Sequence, residues 1–359
     1  MYLQELLVYV IIITLSHIKK EGLMMFKSKV KNFNESSDIV LDDSGTALLS
    51  DGFSLGDSVA VKIGRKNIKD IPIHSGPYCK AYSAVVIVKN NEIRIAVRHG
   101  KAAKKFNAKT GERITIELQE PKKFWEKENA YSFEEINERT RYKDEESYAN
   151  FRPLFESGTM FYRASSPFDD AYGRADSVLK CVEKYGIRTI IDVADSRKEY
   201  ALIRKSLSTD KKNSLNQYNI FPVGDDSGLY SKEFRKTVVL AIDKIRRYPG
   251  PYLIHCRAGK RRSGFICAIL QGLAGLSKDE IEADYMISYK NNNGVIYGDN
   301  PSRYEYLRKD TIERILLYIN GPDLSNLEET TKNYLLKTGF SPEAIERLKE
   351  KLINDKSPQ

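Results

Sequence analysis

The sequence predicts an α/β fold with a mostly parallel central sheet flanked by helices, preceded by a small all-β barrel or sandwich domain. Two observations support this prediction. Between Asp38 and Leu118, short segments of alternating or β-branched residues are separated by turns, which is typical of antiparallel strands. From about residue 150 onward, apolar strands alternate with amphipathic helices, which indicates a parallel sheet covered by helices. A chain of 359 residues is long enough for both domains.

The composition is that of a globular protein with a basic bias. Hydrophobic residues make up 41% and charged residues 30%, which excludes wholesale disorder. The net charge of +9 favours anionic partners, although solubility alone explains it equally well. The four cysteines form no disulfide framework or Cys-x-x-Cys pair, and the four histidines lack metal-ligand spacing. We therefore expect a cytoplasmic protein with no metal, no cofactor and no nucleic-acid partner.

Residues 1–30 are predicted to be an N-terminal tail. Its apolar run at 6–15 has ten residues, whereas about 20 are needed to cross a bilayer, so we expect no stable membrane insertion. Glu5 before the run and Lys19 after it do not fit a signal peptide. A start of translation at Met24 or Met25 is the interpretation that fits better.

Residues 31–122 are predicted to form the small all-β domain. The predicted strands are Asp57–Gly64, Ala84–Val88, Glu92–Val97 and Gly111–Leu118. The stretch Ile93–Leu118 resembles the end of the β-barrel domain found at the C-terminus of the S-adenosylmethionine hydrolase family. That resemblance implies a fold and no activity.

Residues 123–149 are dense in Lys and Glu with little apolar periodicity, which predicts a charged linker or a solvated helix. The second domain is predicted over residues 150–359. Its predicted elements are a helix at 176–186, strands at 187–193 and 218–223, a helix at 231–247 capped by Ser231, and a buried strand at 251–254.

A strand, a loop and a helix then form the candidate site. An apolar strand ends at Ile254, the loop runs from His255 to Arg262, and an apolar helix follows from Ser263. Such a unit presents a ring of backbone N–H groups and the positive end of a helix dipole, which suits a phosphate dianion. Cys256 at the start of the loop would face the same donors, which favour the reactive thiolate over the thiol.

Arg262, six positions after Cys256, can bind two phosphate oxygens as a fork. A Cys and an Arg at this spacing are common in a basic chain, but the full string His-Cys-Arg-Ala-Gly-Lys-Arg-Arg-Ser at 255–263 is specific. Cys267, on the following helix, is interpreted as a core residue. Phosphate binding is predicted for His255, Arg257, Ala258, Gly259, Lys260 and Arg261.

The string at 255–263 resembles the signature His-Cys-x-x-Gly-x-x-Arg-Ser/Thr of the protein tyrosine phosphatase superfamily. The likeness is closest to the bacterial tyrosine phosphatases that also accept phosphoinositides, and it spans about residues 150–355. The sequence departs from that group at Arg261, where aspartate is usual, and at Ala194-Asp195, where leucine-arginine is usual. The further matching segments are Phe161–Ser166, Tyr185–Asp192, Ile281–Ser288 and Tyr334–Ser341.

A leaving oxygen needs a proton donor, usually a carboxylic acid on a loop above the phosphate. The segment at 221–228 (FPVGDDSG) looks like that loop, and it resembles the corresponding segment of the phosphatase-and-tensin lipid phosphatases. The superfamily places its acid some thirty residues before the cysteine, which matches Asp225 and Asp226. We favour Asp225; Asp226, or a simple solvated turn before the helix at Ser231, is the alternative.

Supporting roles are predicted for residues around the loop. Ser263 is expected to donate a hydrogen bond to the sulfur of Cys256 as it leaves, which is compatible with a helix N-cap role. His255 is expected to orient the loop and not to transfer protons. A structural polar network is predicted for Arg163, Asp192 and Arg197.

These residues predict a phosphatase of the tyrosine or dual-specificity type that hydrolyses phosphate monoesters through a phosphocysteine intermediate. The expected substrates are phosphotyrosine or phosphoserine proteins. The alternative is a phosphoinositide or inositol polyphosphate, because Arg257, Lys260 and Arg261 add three cations to the loop. Two other classes of protein are considered. The intact Cys256 and Arg262 argue against a non-catalytic phosphate-binding module. The lack of a nearby resolving cysteine argues against a thiol redox protein.

Overall fold

The computed structural model describes residues 24–76, 79, 83–98, 100–133, 136–170, 172–225 and 227–356. The chain divides into two compact units, Met1–Ser132 and Phe133–Gln359. Residues 123–149, predicted to be one charged linker, are therefore shared between the two units. The apolar run at 6–15 and Asp226 lie outside the described residues. Among the helices that are described, none combines the length and the apolar character required to cross a membrane.

The first unit contains a barrel. Its strands are β1 (Met25–Phe33), β2 (Ile39–Ser44), β3 (Ser58–Ile63), β4 (Lys66–His74), β5 (Ala84–Lys89), β6 (Glu92–Val97) and β7 (Arg113–Glu120). They close in the order β1-β2-β6-β5-β4-β3-β7. Of the two predicted architectures, the barrel is therefore the one present. The tail predicted over residues 1–30 is too long, because β1 begins at Met25 and alternates buried and exposed side chains as a strand does.

Short helices accompany the barrel. They are α1 (Gly45–Ser50), α2 (Ala102–Phe106) and α3 (Trp125–Tyr131). Helix α3 lies in the segment predicted to be a linker, yet its Glu128 is 1% exposed. The Glu128 carboxylate lies 2.9 Å from Nδ1 of His74 and accepts a hydrogen bond from the Ser75 amide. Burial raises the pKa of Glu128, but these partners outweigh burial and the pKa is lowered. Glu128 therefore ties α3 to the barrel.

The second unit has a five-stranded sheet in the order β11-β10-β12-β9-β8. The strands are β8 (Arg152–Pro153), β9 (Phe161–Ala164), β10 (Thr189–Asp192), β11 (Asn219–Pro222) and β12 (Tyr252–His255). Strands β9 to β12 are parallel, and the short edge strand β8 runs antiparallel to β9. The predicted α/β fold is confirmed, with a sheet that is parallel except at this edge.

Helices cover the sheet. They are α4 (Glu145–Ala149), α5 (Ala175–Lys184), α6 (Arg197–Ser206), α7 (Thr209–Leu215), α8 (Lys232–Arg247), α9 (Arg261–Leu273), α10 (Lys278–Asn293), α11 (Pro301–Arg308), α12 (Arg314–Asn320), α13 (Leu327–Lys337) and α14 (Pro342–Lys356). The predicted cap is present, because Oγ of Ser231 accepts a hydrogen bond from the Phe234 amide at the start of α8. Helix α9 begins at Arg261, so the loop is shorter than predicted and Arg262 already lies in the first helical turn.

The segment before residue 150 supplies hydrogen-bond acceptors to the buried Arg174. Arg174 is 1% exposed, and its guanidinium donates to the carbonyls of Tyr148, at 2.8 Å, and Ile136, at 2.6 Å. It also lies over the rings of Tyr142 and Tyr148. A buried charge without such partners costs several kcal/mol. Residues 136–149 are therefore part of the second unit and not an expendable linker.

We predict that a fragment of residues 133–359 folds, whereas a fragment of residues 150–359 is less stable by roughly 3–5 kcal/mol, because its Arg174 loses the acceptors at 136 and 148. Urea unfolding of the two fragments measures the difference. Replacing the charge by Arg174→Leu in the shorter fragment should recover part of the loss. Equal stability of the two fragments would contradict this interpretation.

Candidate active site

Three parallel strands end at one edge of the sheet, where ligands of open α/β sheets bind. Asp192 at the end of β10 is in register with His255 on β12 and with Pro222 on β11. The segments that follow the three strands therefore begin at the same level. Cys256 and Asp225, predicted from positions 31 residues apart in the sequence, follow two of these strands and so belong to the same edge.

The loop after β12 is held from behind by its carbonyl groups. The side-chain amide of Asn150 donates to the carbonyls of Ala258 and Gly259, and that of Asn292 donates to Ala258 at 3.0 Å. The guanidinium of Arg163 donates to the carbonyls of Gly259, at 3.0 Å, and Lys260, at 3.2 Å. These donors are buried. They fix the loop backbone from the side of the protein interior.

This anchoring sets the direction of the loop amides. In a trans peptide the C=O and the following N–H point in opposite directions. The carbonyls of Arg257, Ala258, Gly259 and Lys260 bind the Ser166 amide and the buried side chains behind the loop. The N–H groups of Ala258, Lys260 and Arg261 therefore face the inner side of the loop, while that of Gly259 donates to the Cys256 carbonyl at 3.4 Å. Such a concave set of amides at the N-terminus of the 13-residue helix α9 suits an anion.

Gly259 is required by the close packing of the loop. Its φ is +64°, a left-handed conformation that favours glycine. A Cβ atom there would also overlap the Ala164 carbonyl and lie 2.8 Å from Nδ2 of Asn150. The glycine at this position of the predicted signature thus allows the loop to approach β9.

Arg163 carries a buried charge that a carboxylate balances. Its side chain is 1% exposed, and Nη1 donates to Oδ2 of Asp284 at 2.6 Å. Arg152 donates to the other oxygen of Asp284 at 2.6 Å. Burial raises the pKa of Asp284, but the two arginines outweigh burial and lower it. Asp284 is therefore an anion that holds Arg163 against the loop.

Arg163, Asp192 and Arg197, predicted to form one polar network, lie in different surroundings. Arg163 belongs to the group with Asp284 that supports the loop. Asp192 lies at the end of β10, and Arg197 is exposed at the start of α6. No hydrogen bond between described residues joins Arg197 to Arg163 or Asp192. Asn150, Asp284 and Asn292 were missed because no local motif marks a side chain that acts on a distant loop.

Cys256 lies in a buried position beside Ser263. The sulfur is 3.4 Å from Oγ of Ser263, within hydrogen-bond distance for sulfur, and Cys256 is 6% exposed. This geometry suits the predicted bond to the sulfur. The predicted N-cap role of Ser263 is wrong, because α9 is preceded by Lys260 and Ser263 is the third residue of the helix.

Cys267, the second cysteine of this segment, lies in a different environment from Cys256. Cys267 is fully buried on α9, and burial raises the pKa of its thiol to about 12. At neutral pH this thiol is protonated and unreactive. The interpretation of Cys267 as a core residue is confirmed.

His255 is buried behind the loop. Its ring packs edge-on against Phe168, with centroids 5.2 Å apart. Burial lowers the pKa of His255 to about 3, and a backbone contact with Cys256 opposes this only in part. The imidazole is therefore neutral, as an orienting residue would be, and a protonated form for acid catalysis is strongly disfavoured.

The cations predicted around the loop have different surroundings. The Lys260 ammonium donates to Oδ1 of Asn293 at 2.7 Å and lies over the rings of Phe133 and Tyr289. The Arg257 side chain is 59% exposed and lies 3.5 Å from Asp169. Arg261 is exposed in the first turn of α9. The ammonium of Lys260 is thus committed to protein groups, while Arg257 and Arg261 lie at the surface.

Arg262 reaches the segment that follows β10. Its Nη1 donates to the Ala194 carbonyl at 2.9 Å. Glu199 on α6 lies near the same arginine: hydrogen bonds from Ser196 lower its pKa, and the charges of Arg257 and Arg262 lower it further. The guanidinium of Arg262 is therefore oriented by the end of β10 as well as by its own helix.

Asp225 lines a cleft of about 480 Å³ together with Ser196, Lys198, Glu199 and Leu202. One oxygen of its carboxylate accepts hydrogen bonds from the amide, at 2.8 Å, and the hydroxyl of Ser227. Thr237 lies 3.4 Å from the other oxygen. Asp225 thus combines a cleft position with the local turn bonding that the alternative interpretation predicted.

Gly224 fits the acidic loop against the end of β10. Its amide donates to the Asp195 carbonyl at 3.0 Å, and a Cβ atom at Gly224 would overlap the backbone of Ala194. Ala194 is the residue whose carbonyl binds Arg262. The loop that carries Asp225 and the side chain of Arg262 therefore contact the same backbone segment.

Two buried aspartates lie in that segment, and the sequence marked Asp195 only as a departure from the family. Asp192 and Asp195 are 0% and 2% exposed. Oδ2 of each has no hydrogen-bond partner in the described structure, while Oδ1 of Asp192 accepts from the amides of Ala194 and Asp195. Burial and the neighbouring Asp195 raise the pKa of Asp192, and burial raises that of Asp195 against the opposing charge of Arg257. The pair favours holding a proton.

We predict that Asp195→Asn stabilises the protein increasingly as the pH rises. The folded state holds protons on this pair that the unfolded state releases near pH 3.8, so the pair costs stability as the pH rises through the raised pKa values. The gain of the variant in unfolding free energy should grow by up to about 1.4 kcal/mol per pH unit within the titration. Urea unfolding between pH 4.5 and 8 measures it. Asp176→Asn, at an exposed site, is the control; a gain independent of pH would contradict the shared proton.

The sequence of the chain matches one known protein family. A sequence model described as the tyrosine phosphatase family matches residues 159–354, more than half of the chain. A search of curated proteins gave no match. Among solved structures, the catalytic domain of the PP-IP phosphatase SIW14 from S. cerevisiae is 18% identical, with 52% of this chain and 94% of that chain covered and a TM-score of 0.29.

Two further solved structures are similar to parts of the chain. TpbA from P. aeruginosa, in complex with pTyr, is 16% identical over 52% of this chain and 93% of its own, with a TM-score of 0.29. An uncharacterized conserved protein from Thermotoga maritima is 20% identical over 25% of this chain and only 35% of its own, with a TM-score of 0.24. The family match, which includes the loop at 255–263, decides the assignment: the chain belongs to the tyrosine phosphatase family.

Proposed function

We propose that this chain hydrolyses phosphate monoesters through a phosphocysteine intermediate, with Cys256 as the nucleophile. The observation that supports this most directly is the loop after β12. Its carbonyls are bound by buried donors, so its amides face inward, and the sulfur of Cys256 lies at its start beside Ser263. A nucleophile next to preorganised N–H donors is the arrangement that phosphoryl transfer requires.

In the first step the Cys256 thiolate attacks phosphorus, an S–P bond forms, and the bond from phosphorus to the leaving oxygen breaks. The electron pair of that bond stays on the leaving oxygen, which takes a proton from Asp225. The loop amides and the Arg262 guanidinium bind the three equatorial oxygens. The bond of Arg262 to the Ala194 carbonyl limits the orientations of the guanidinium, so less entropy is lost when phosphate binds.

In the second step water attacks the phosphocysteine. Asp225 accepts a proton from that water, the S–P bond breaks, and the sulfur leaves as a thiolate. The Ser263 hydroxyl, 3.4 Å from the sulfur, donates a hydrogen bond to the departing thiolate. Inorganic phosphate is released and the enzyme returns to its starting state.

The proposed substrates are phosphotyrosine or phosphoserine proteins. The commitment of the Lys260 ammonium to Asn293 removes one of the three cations that would favour multiply phosphorylated substrates. The alternative substrate class, phosphoinositides or inositol polyphosphates, is supported by Arg257 and Arg261, which lie exposed next to the loop. The four cysteines are free thiols, in keeping with the cytoplasmic location that we propose.

We predict that Cys256→Ser abolishes release of phosphate from a small aryl phosphate while phosphate binding is kept, because a hydroxyl fits the site but is a far weaker nucleophile at neutral pH. Stopped activity assays and phosphate titration by calorimetry measure the two properties. Cys267→Ala, which removes the buried core thiol, is the control and should retain turnover. A serine variant with a tenth or more of wild-type turnover, a barrier change of only about 1.4 kcal/mol, would exclude Cys256 as nucleophile. EDTA should have no effect.

The proton donor can be identified from the leaving group. A general acid matters most when the departing oxygen is a basic alkoxide and little when it is a good leaving group. We predict that Asp225→Asn slows hydrolysis of alkyl phosphates by roughly 10²-fold or more and affects a nitrophenyl phosphate much less. Asp226→Asn is the matched control and should show neither effect. If the two variants exchange behaviours, Asp226 is the acid; if neither depends on the leaving group, this loop is only a turn.

A further inference from the structure

One outer face of the barrel carries a row of basic side chains. Along β1 the side chains of Phe26, Ser28 and Val30 are buried. Those of Lys27, Lys29 and Lys31 alternate with them and are exposed. Since side chains two residues apart on a strand lie on the same face, Lys27 and Lys29 lie side by side on it. Lys31 follows at the register shift between Val30 and Asn32 and is exposed there.

Two neighbouring strands extend this row into a surface. In the barrel ladder, Lys29 is directly opposite Arg113 on β7, and Lys27 is opposite Thr115. Thr115 is in turn opposite Lys62 on β3. Neighbouring strands lie about 4.8 Å apart, so the surface is about 10 Å wide. We call it the basic face, defined by Lys27, Lys29, Lys31, Lys62 and Arg113.

The positive charge of the basic face is not balanced locally. No carboxylate oxygen of the described residues lies within 4 Å of these five side chains. Acidic residues border it at Glu117, opposite Met25, at Asp42, next to the partner of Val30, and at Glu112, whose carbonyl accepts from the Val30 amide. Some cations elsewhere on the barrel are paired, as Lys123 is with Asp70 at 3.0 Å and Arg94 is with Glu92 at 3.1 Å. Residues 24–132 contain 19 Lys and Arg against 13 Asp and Glu, a net charge of +6.

Such a cluster is unfavourable for the isolated fold. Like charges directly opposite each other on paired strands, such as Lys29 and Arg113, destabilise a sheet. A polyanion bound to the basic face would relieve this repulsion and gain the full attraction of five cations. The basic face is therefore suited to a polyanionic surface.

The composition of the basic face favours a lipid surface over a nucleic acid. Proteins that bind single-stranded nucleic acids combine cations with aromatic side chains on which bases stack. The outward side chains here are lysines, Arg113, Thr115 and, at the border opposite Met25, Glu117, without an aromatic residue. Met25, 43% exposed, lies two residues before Lys27 on the same side of β1 and offers an apolar side chain to a bilayer interface.

We propose that the basic face binds the surface of an anionic phospholipid bilayer. Each Lys or Arg close to such a surface increases binding about fivefold, so five cations give a reversible, salt-sensitive attachment without insertion. This role is independent of the proposed phosphatase activity, which concerns the second unit. The attachment would bring a phosphatase to a membrane surface.

The test is co-sedimentation of the full chain with vesicles of phosphatidylcholine, alone or with 30% phosphatidylserine. Phosphatidylserine holds a phosphodiester and no monoester, so the candidate active site has no substrate in this assay. We expect binding to the acidic vesicles only, weakened by salt. Lys27→Gln/Lys29→Gln should reduce it about thirtyfold. The matched control Lys89→Gln/Lys101→Gln removes two exposed charges from other parts of the barrel and should lose much less.

Three results would overturn the proposal: equal binding to neutral vesicles, equal losses in both double variants, or binding to a single-stranded oligonucleotide but not to acidic vesicles. Melting curves of both variants establish that they are folded. Turnover of a small aryl phosphate should be the same in wild type and both variants. Loss of turnover in wild type with vesicle binding intact would contradict only the proposed function, whereas the reverse would contradict only this inference.

Discussion

The candidate site depends on the ion pair between Arg163 and Asp284. A guanidinium that is 1% exposed is costly unless a carboxylate and further acceptors surround it. Asp284 supplies the charge and accepts from Nη1, and the carbonyls of Gly259 and Lys260 accept from Nη2. The same contacts turn the following amides toward the inner side of the loop. The burial of one charge is thus coupled to the formation of an anion site.

Helix α10 carries much of this support on one face. Asp284, Ser288 and Asn292 are spaced four residues apart, so they lie in one line along the helix. Asp284 binds Arg163, Ser288 donates to the Gly259 carbonyl, and Asn292 donates to the Ala258 carbonyl. Apolar and polar residues of α10 are not separated onto opposite faces, because part of its buried face is polar where it meets the loop.

Much of the candidate site was predictable from local sequence, because a cysteine, an arginine and a glycine in one short loop are constrained by each other. The string at 255–263 identifies Cys256 and Arg262 for this reason. The roles of Asp284 and Asn150 were not predictable, because both act on a loop more than 20 residues away, and the family-like segment Ile281–Ser288 does not by itself indicate which of its residues supports that loop. The segment at 123–149 was misjudged for a related reason: composition does not distinguish a buried carboxylate such as Glu128, 2.9 Å from Nδ1 of His74, from an exposed one.

The position at which α9 begins decides which role Ser263 can have. The helix begins at Arg261, two residues earlier than the sequence indicated, so Ser263 cannot cap it. Its hydroxyl is instead directed at Cys256, and its complete burial leaves little choice of partner. A serine that would cost stability as an unsatisfied buried hydroxyl is satisfied by the sulfur.

The end of β10 connects the two halves of the candidate site. Arg262 binds the Ala194 carbonyl from one side, and Gly224 packs its backbone against Ala194 and Asp195. This close approach places Asp192 and Asp195 in the interior with one oxygen of each unpaired. Raised pKa values follow from that burial. The close contact between the loop after β12 and the acidic loop is therefore accompanied by a buried acid pair, and the raised pKa values of Asp192 and Asp195 favour a proton on that pair.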